Sequence, residues 1–179
     1  DAPNLLYIQK LGAGVDNIDL DYCVEHKIGV GRLNAGNAVP VAEHTLMMML
    51  AASRQLITFD HQTRKGVWQK ESARGSNKQI NGKTIGIVGL GAIGRQVATL
   101  LGNFGVKILY CDPIPAPNQL EKTLELKRVP LDQLLRLSDI ITLHCPLNTD
   151  TKHIINGEMI KLMKHGAIVI NCARGGLID

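Results

Sequence analysis

The sequence predicts an α/β fold built on a doubly wound parallel sheet, and three observations support that prediction. Short apolar segments rich in β-branched residues recur after residue 84, for example at 84–88, 140–144 and 167–171. Segments with helical spacing of apolar residues separate them. A glycine-rich turn directly follows the first of these strands. Strands that are apolar throughout and alternate with helices are typical of a parallel sheet covered on both faces.

The expected elements follow in chain order. Residues 1–36 predict the remnant of a flavodoxin-like α/β unit, with strands at 5–9 and 28–32 around a helix at 20–27. Residues 37–179 predict the main domain. It would open with a long buried helix at 39–54 and a more polar one at 57–65. Further strands are expected at 84–88, 107–111, 127–129, 140–144 and 167–171, and further helices at 93–103, 118–124, 131–137 and 157–164.

Residues 66–79 are polar and poorly periodic, and Trp68 stands alone among charged side chains. This pattern predicts an exposed loop, or an arm that docks on a partner subunit. A lone tryptophan in such a segment is slightly more typical of an interface anchor than of a solvated loop.

The first strand of the main domain runs directly into residues 89–94, Gly-Leu-Gly-Ala-Ile-Gly, and a helical segment follows. Gly89 is expected to allow the tight turn, Gly91 to let the backbone approach a phosphate, and Gly94 to let the helix pack closely on the strand. Free N–H groups and the positive end of the helix dipole would then face the anion. The strand, turn and helix together predict a Rossmann-type pyrophosphate-binding site.

A carboxylate follows the second strand of this domain. Asp112 lies eighteen residues after Gly94, where an acidic side chain can accept hydrogen bonds from the adenosine ribose of a dinucleotide. It would also repel the extra phosphate of NADP, and the next residue is Pro113 rather than an arginine. The sequence therefore favours NAD as the cofactor. The alternative is that Asp112 forms an Asp-Pro turn, and the two roles are compatible.

Ligands of an open parallel sheet bind at the carboxyl ends of its strands, so the later strand ends are also candidates. Cys145 and Pro146 follow one strand and are expected to line the far side of the dinucleotide. We interpret His144 as a buried structural histidine rather than a catalytic base. For Thr151, a contact with the phosphates and a role in a turn are both open.

Arg174 follows the apolar strand at 167–171 and precedes Gly175 and Gly176. A guanidinium at this strand end, beside a nicotinamide, would bind a planar carboxylate through two parallel hydrogen bonds. A solvated arginine in a glycine turn is the alternative. The position of Arg174 at the presumed ligand edge favours the carboxylate role.

Composition argues against several classes of protein. The formal net charge is only +4, the basic residues are scattered, and one Trp, three Tyr and two Phe are too few for stacking on nucleic acid. The longest apolar stretch, 45–52, is too short to span a bilayer, and no secretory leader is visible. The four cysteines lack metal-type spacing. We expect a cytoplasmic protein with reduced thiols, no bound metal, and neither nucleic acid nor membrane as partner.

Four motifs occur in the order and spacing of a known family. They are Gly-Ala-Gly-Val-Asp-Asn-Ile-Asp at 12–19, Val-Ala-Glu-His-Thr at 41–45, the glycine turn at 89–94, and Asn-Cys-Ala-Arg-Gly-Gly at 171–176. They resemble the D-isomer-specific 2-hydroxyacid dehydrogenases, and phosphoglycerate dehydrogenases especially, over essentially the whole chain. The resemblance implies an NAD-dependent oxidoreductase that transfers a hydride between nicotinamide and a D-2-hydroxy or 2-oxo acid, with 3-phosphoglycerate as one candidate.

The resemblance also implies roles for individual residues. Arg174 would be the catalytic arginine that holds the 2-oxo acid, and backbone amides at Gly12, Ala13 and Gly14 would help to hold the substrate carboxylate. The expected NAD-binding residues are Gly89, Gly91, Ala92, Ile93, Gly94, Asp112, Cys145, Pro146, Thr151, Cys172, Ala173 and Arg174. A homodimer formed through residues 39–79 is a further expectation.

Members of this family carry a glutamate and then an acid–base histidine after the arginine. Residues 1–179 stop before either and begin inside the substrate-binding domain, so we expect these residues alone to turn over poorly or not at all. Two other functions are open. The C-terminal-binding-protein corepressors, which sense NAD without catalysis, share the fold and a similar Ala-Arg-Gly-Gly-Leu segment. The NAD domain of S-adenosylhomocysteine hydrolase is disfavoured by the 12–19 motif and by Arg174.

Overall fold

The computed structural model describes residues 2–33 and 35–179; Asp1 and Asn34, which fall in the predicted first unit, lie outside the described residues. The strands found there are β1 (Tyr7–Lys10), β2 (Gly29–Arg32), β3 (Thr84–Val88), β4 (Lys107–Cys111), β5 (Leu126–Arg128), β6 (Ile140–Leu143) and β7 (Ile168–Asn171). The helices are α1 (Leu20–Glu25), α2 (Ala38–Ser53), α3 (Leu56–Arg64), α4 (Lys70–Ser76), α5 (Ala92–Leu101), α6 (Asn118–Thr123), α7 (Leu131–Leu137) and α8 (Gly157–Leu162), with a 3-10 helix at Gly175–Leu177.

The larger sheet of the described residues is parallel throughout, with the strand order β5-β4-β3-β6-β7. The central strand β3 pairs Val88 with Cys111 on one side and with Leu143 on the other. From β3 the chain moves outward through β4 and β5, then crosses back to place β6 on the other side of β3. This reversal creates a switch point at the carboxyl ends of β3 and β6, where ligands of such sheets bind. The predicted Rossmann-type doubly wound sheet is confirmed.

The central strands are apolar throughout because both faces of the sheet are covered. Ile85, Ile87 and Val88 are at most 2% exposed. One cluster of buried side chains joins Ile85 and Ile87 to helices α2 and α5, and a second joins Val88 to Leu134 of α7 and to β6. Burying side chains on both faces stabilises the sheet by about 25 cal/mol for each Å² of apolar surface removed from water.

Strands β1 and β2 form a separate two-stranded parallel sheet, as the sequence predicts, with Tyr7 paired to Gly29. Helix α1 connects the two strands. It begins after Asp19, whose carboxylate accepts a 2.9 Å hydrogen bond from the backbone nitrogen of Tyr22. Such a cap satisfies one of the free N–H groups at the start of a helix. This small unit lies over the carboxyl ends of the larger sheet, so the loop after β1 faces the switch point.

Two expectations from the sequence are wrong between the small unit and the larger sheet, in residues 38–79. Residues 66–79 contain helix α4, supported by an Arg74–Glu71 ion pair one turn apart (3.0 Å), so an irregular loop is wrong. The alternative, an arm that docks on a partner subunit, stays a prediction. Helix α2 is buried along one face only, since Met47 and Met48 are 49% and 41% exposed. Because α2 is apolar nearly all round, its sequence gives no periodicity from which the buried face could be identified.

Candidate active site

A cleft of about 830 Å³ separates the small unit from the carboxyl ends of the larger sheet. It brings together many of the residues expected to bind ligands. Its lining includes Gly12, Ala13, Gly14, Ala92, Ile93, Cys145, Pro146, Cys172, Ala173 and Arg174. The other predicted site residues, Gly89, Gly91, Gly94, Asp112 and Thr151, are not part of that lining.

The glycine turn between β3 and α5 has the conformation expected of it. Gly89 has a φ of +92°, which favours glycine, and a side chain there would lie 2.6 Å from the Cys145 nitrogen. Gly91 begins α5 with a φ of −71°, and no atom lies within 4 Å of the position of a Cβ. At Gly94 a Cβ would collide with the Gly89 carbonyl oxygen. The turn is therefore tight, α5 packs directly against it, and the start of the helix is open to an anion.

Asp112 lies at the end of β4 and joins two loops. Its Oδ2 accepts a hydrogen bond from the Leu90 nitrogen (2.7 Å), and its Oδ1 accepts one from the Ile114 nitrogen (2.8 Å). The second bond is the Asp-Pro turn that the sequence left open as an alternative. Each carboxylate oxygen has capacity for a further hydrogen bond, so the ribose role stays a prediction that this geometry allows.

Arg128, at the end of β5, is a residue that sequence reasoning missed. Its guanidinium donates hydrogen bonds to the carbonyl oxygens of Asp112 (2.8 and 3.1 Å) and Pro113 (2.8 Å). Three bonds from one planar group fix the loop that carries the Asp112 carboxylate. No local pattern marks Arg128, because the contact depends on the pairing of β4 with β5.

His144 follows β6 and lines the cleft; its contacts agree with the structural role that we favoured over a catalytic one, and that role stays a prediction. Its Nε2 lies 2.9 Å from the Thr142 hydroxyl. Burial lowers the pKa of His144 to about 4, so the imidazole is neutral at pH 7. Burial likewise raises the pKa of the thiols of Cys111 and Cys145, which keeps both protonated. Cys145 therefore lines the cleft as a small apolar group.

Thr151 forms a turn, which is one of the two roles left open for it. Its hydroxyl donates to the Pro146 carbonyl oxygen at 2.5 Å and accepts from the Asn148 nitrogen at 2.9 Å. The hydroxyl proton is therefore used inside the turn. This arrangement fixes the loop that carries Pro146 at the edge of the cleft.

Arg174 projects into the cleft from the loop after β7. Asn171 holds that loop, since its amide donates to the Arg174 carbonyl oxygen (2.9 Å) and accepts from the Ala173 nitrogen (3.0 Å). The Arg174 guanidinium lies against Gly14, where a Cβ would collide with it. Its Nε donates to both carboxylate oxygens of Asp16, at 2.9 and 3.0 Å.

The partner of Arg174 is a second residue that sequence reasoning missed. The Arg174 guanidinium lowers the pKa of Asp16, chiefly through their hydrogen bond, so Asp16 is ionised at neutral pH. The signal available in the sequence was the position of Asp16 inside the 12–19 motif. The contact itself joins residues 158 positions apart and depends on how the small unit sits on the sheet.

Within the described residues, no group of three or more His, Cys, Asp or Glu side chains is arranged to hold a metal ion. None of the helices there has both the length and the apolar character needed to cross a membrane.

Comparison with known families identifies the domain that forms one side of the cleft. Residues 46–179 match the family model described as "D-isomer specific 2-hydroxyacid dehydrogenase, NAD binding domain". Over 179 residues the chain is 40% identical to D-3-phosphoglycerate dehydrogenase of Methanocaldococcus jannaschii, covering 99% of this chain and 34% of that protein. It is 41% identical over 176 residues to hydroxypyruvate reductase of Thermotoga maritima, covering 98% of this chain and 56% of that protein. The chain thus spans about a third to a half of these relatives.

Solved structures show the same similarity. The NAD-dependent formate dehydrogenase of Staphylococcus aureus, in complex with NAD, superposes with a TM-score of 0.90 at 36% identity, covering 99% of this chain and 53% of that one. D-lactate dehydrogenase of Aquifex aeolicus, complexed with NAD and lactic acid, gives a TM-score of 0.89 at 37% identity, covering 99% and 52%.

The residues present fit a dinucleotide cofactor. No atom lies within 4 Å of the Cβ position at Gly91, where α5 begins, and the Asp112 carboxylate stands at the next strand end, held by Leu90 and Ile114. Oxygen acceptors and open N–H groups at these two points are what a ribose and a pyrophosphate require. The chain therefore belongs to the D-isomer-specific 2-hydroxyacid dehydrogenases, contains their NAD-binding domain, and has NAD as its cofactor.

Proposed function

We propose that the full-length protein is an oxidoreductase that interconverts a D-2-hydroxy acid and the corresponding 2-oxo acid with NAD. The observation that carries this proposal is the position of Arg174. Its guanidinium stands in one cleft with the loop at Gly12–Gly14 on one side and with Ala92, at the start of α5, on another. A cation beside the cofactor domain is the feature that an acid substrate needs.

The two sides of the cleft have different roles in this proposal. NAD, when bound, supplies the hydride acceptor or donor, and we propose that its holding residues are those predicted from the sequence around Gly91, Asp112, Cys145 and Ala173. The guanidinium of Arg174 binds the substrate carboxylate and polarises the neighbouring carbonyl. Backbone N–H groups at Gly12 to Gly14 add donors for the same carboxylate, which positions the reacting carbon before the chemical step.

The cleft also supports a proposal about substrate class. Lys10 and Arg32 line it together with Arg174, and the carboxylates of Asp16, Asp19 and Asp21 line it as well. Additional cations suit a substrate with a second anionic group, and they support a phosphorylated hydroxy acid such as 3-phosphoglycerate. The relatives named D-3-phosphoglycerate dehydrogenase agree with this choice, whereas the hydroxypyruvate reductase favours a smaller acid.

We also propose a homodimer formed through residues 39–79. Apolar side chains are exposed along this segment, including Met47, Leu56, Ile57 and Trp68, the last two at 77% and 80%. Several large apolar side chains exposed within one segment are typical of an interaction site. A cytoplasmic location is part of the same proposal, because all four cysteines, each in the described part of the chain, are free thiols.

Steady-state kinetics of the full-length protein test the proposed activity. We expect NADH formation with D-3-phosphoglycerate and NADH consumption with hydroxypyruvate, and a loss of at least about a hundredfold in kcat/KM for Arg174→Ala, since a charge-assisted pair contributes about 3 kcal/mol. The NAD dissociation constant of the variant should rise by much less than this, because the other predicted NAD-binding residues are unchanged. Tight NAD binding without turnover of any 2-hydroxy or 2-oxo acid would contradict the proposal and favour the corepressor-like alternative.

A further inference from the structure

The ion pair formed by Asp16 and Arg174 differs from the ion pairs that lie within single helices. The pairs Arg64–Asp60, Arg74–Glu71 and Lys161–Glu158 each join residues three or four apart on one helix. Asp16 and Arg174 are 158 residues apart. Their contact therefore joins the loop after β1 in the small unit to the loop after β7 at the edge of the larger sheet.

The pair uses one edge of the guanidinium. Nε donates to both oxygens of Asp16, and Nη1 donates to the Ala173 carbonyl oxygen at 3.0 Å. Nη2 lies against the backbone at Gly14. The terminal nitrogens together carry four N–H groups, and the bond to Ala173 uses one of them. The guanidinium thus keeps donors for a ligand while its Nε is held.

The Asp16–Arg174 pair is partly exposed to the cleft, so a ligand can reach it. The side chains of Arg174 and Asp16 are 39% and 38% exposed, and both line the cleft. An arginine side chain loses up to about 2 kcal/mol of conformational freedom when it is fixed. Because the Asp16 carboxylate already holds Nε, the Arg174 side chain loses less conformational entropy when the acid substrate binds. The Asn171 bonds fix only the backbone of this loop, so the side chain is oriented by Asp16 at Nε and by the Ala173 carbonyl oxygen at Nη1.

We propose that Asp16 is a positioning residue for Arg174. It holds the guanidinium through Nε so that the terminal N–H groups face a carboxylate ligand, and it does so only when the small unit is seated over the sheet. This inference rests on the proposed function, because it assigns Arg174 to the substrate carboxylate. A rival arrangement is that Asp16 occupies the place of the substrate acid and competes with it.

The two arrangements predict opposite kinetics for Asp16→Asn in the full-length protein. Positioning predicts that KM for hydroxypyruvate rises by about tenfold or more, since Asn offers Nε one neutral acceptor in place of two charged ones. The kcat should change less, and the NAD dissociation constant should stay within about twofold. The KM of Asp16→Glu should lie between those of wild type and Asp16→Asn, because Glu again places a carboxylate near Nε. Glu158→Gln, which breaks an ion pair outside the cleft, is the matched control and should behave as wild type.

An unchanged or lower KM in Asp16→Asn overturns the inference, and a lower one favours competition. A parallel loss of NAD affinity and thermal stability also overturns it, since that pattern describes a general structural role. Failure of the wild-type protein to turn over any 2-hydroxy or 2-oxo acid would instead overturn the proposed function. The contact has its own readout: exchange of the Arg174 Nε–H with solvent, followed by ¹⁵N NMR, should be slowed in wild type and accelerated in Asp16→Asn.

Discussion

The carbonyl oxygen of Gly89 occupies the space that a side chain at Gly94 would need. Helix α5 can approach the end of β3 only because residue 94 has no Cβ. The neighbouring Gly91 differs, since no atom lies within 4 Å of its Cβ position and its φ of −71° suits any residue. Substitution by Ala at each glycine therefore distinguishes the packing role of Gly94 from the role of Gly91 in letting a ligand approach the backbone.

Gly94→Ala should destabilise the protein by about 1–3 kcal/mol, which is typical of forcing an extra carbon into a packed contact. Gly91→Ala should leave the free energy of unfolding within about 0.5 kcal/mol of wild type, yet raise the NAD dissociation constant by about tenfold or more, because its methyl group lies where the pyrophosphate must approach. Urea unfolding and NAD titration measure the two quantities. Unaltered NAD affinity in Gly91→Ala would contradict the assignment of the pyrophosphate to this turn.

Gly14→Ala is expected to displace the Arg174 guanidinium, with which the new methyl group would collide. KM for a 2-oxo acid should rise by about tenfold, a change equivalent to about 1.4 kcal/mol, and the NAD dissociation constant should change by much less. Gly175→Ala is the matched control, since Gly175 is next to Arg174 and no atom lies within 4 Å of its Cβ position. Equal effects of the two substitutions on KM would show that the loss does not come from the Gly14–Arg174 contact.

The sheet could be predicted from the sequence because its strands are continuous apolar runs. Strands β3 and β4 begin and end at the expected residues. The predicted helix at 157–164 stops two residues early, because Met163 has extended backbone with a ψ of 155°. Helix α4 was missed because its residues are mostly polar. The main signal of a helix in a sequence is the regular spacing of apolar residues, which this segment lacks.

The sequence predicted those parts of the site that consist of consecutive residues. The turn at 89–94 and the loop around Arg174 each follow a strand, and strand ends of a parallel sheet share one edge. The bonds that orient the functional groups are not local. Asp16 reaches Arg174 across two structural units, and Arg128 reaches the Asp112 loop across a strand pair. No spacing in the sequence encodes either contact, because both depend on the folded arrangement.

Asp112 is expected to set the preference for NAD over NADP. Asp112→Asn removes the negative charge and one of two acceptors for the Leu90 and Ile114 nitrogens. The ratio of the NADP to NAD dissociation constants should fall by about tenfold, since like charges a few ångströms apart repel by on the order of 1 kcal/mol or more. Titration with both dinucleotides measures the ratio. If the ratio is unchanged while stability falls, Asp112 acts only as a turn residue.

His144 is expected to make stability depend on pH. In the folded protein burial lowers its pKa to about 4, whereas the ordinary value is 6.5. Between these two values the unfolded chain binds a proton that the folded protein does not, so the free energy of unfolding falls as the pH is lowered from about 6.5 to about 4. The full loss is about 3 kcal/mol, because each pKa unit corresponds to about 1.4 kcal/mol.

His144→Gln keeps a group that can hydrogen-bond to Thr142 and removes the titration, so its free energy of unfolding should fall less over the same pH range. Urea unfolding at pH 7.5, 5.5 and 4.5 measures the difference from wild type, with His165→Gln as the control, since His165 is exposed. We expect wild type and His165→Gln to fall in parallel and His144→Gln to depart from both by about 2–3 kcal/mol at pH 4.5. Parallel behaviour of all three proteins would mean that His144 already takes up its proton in the folded state above pH 5, and that water from the cleft reaches the imidazole.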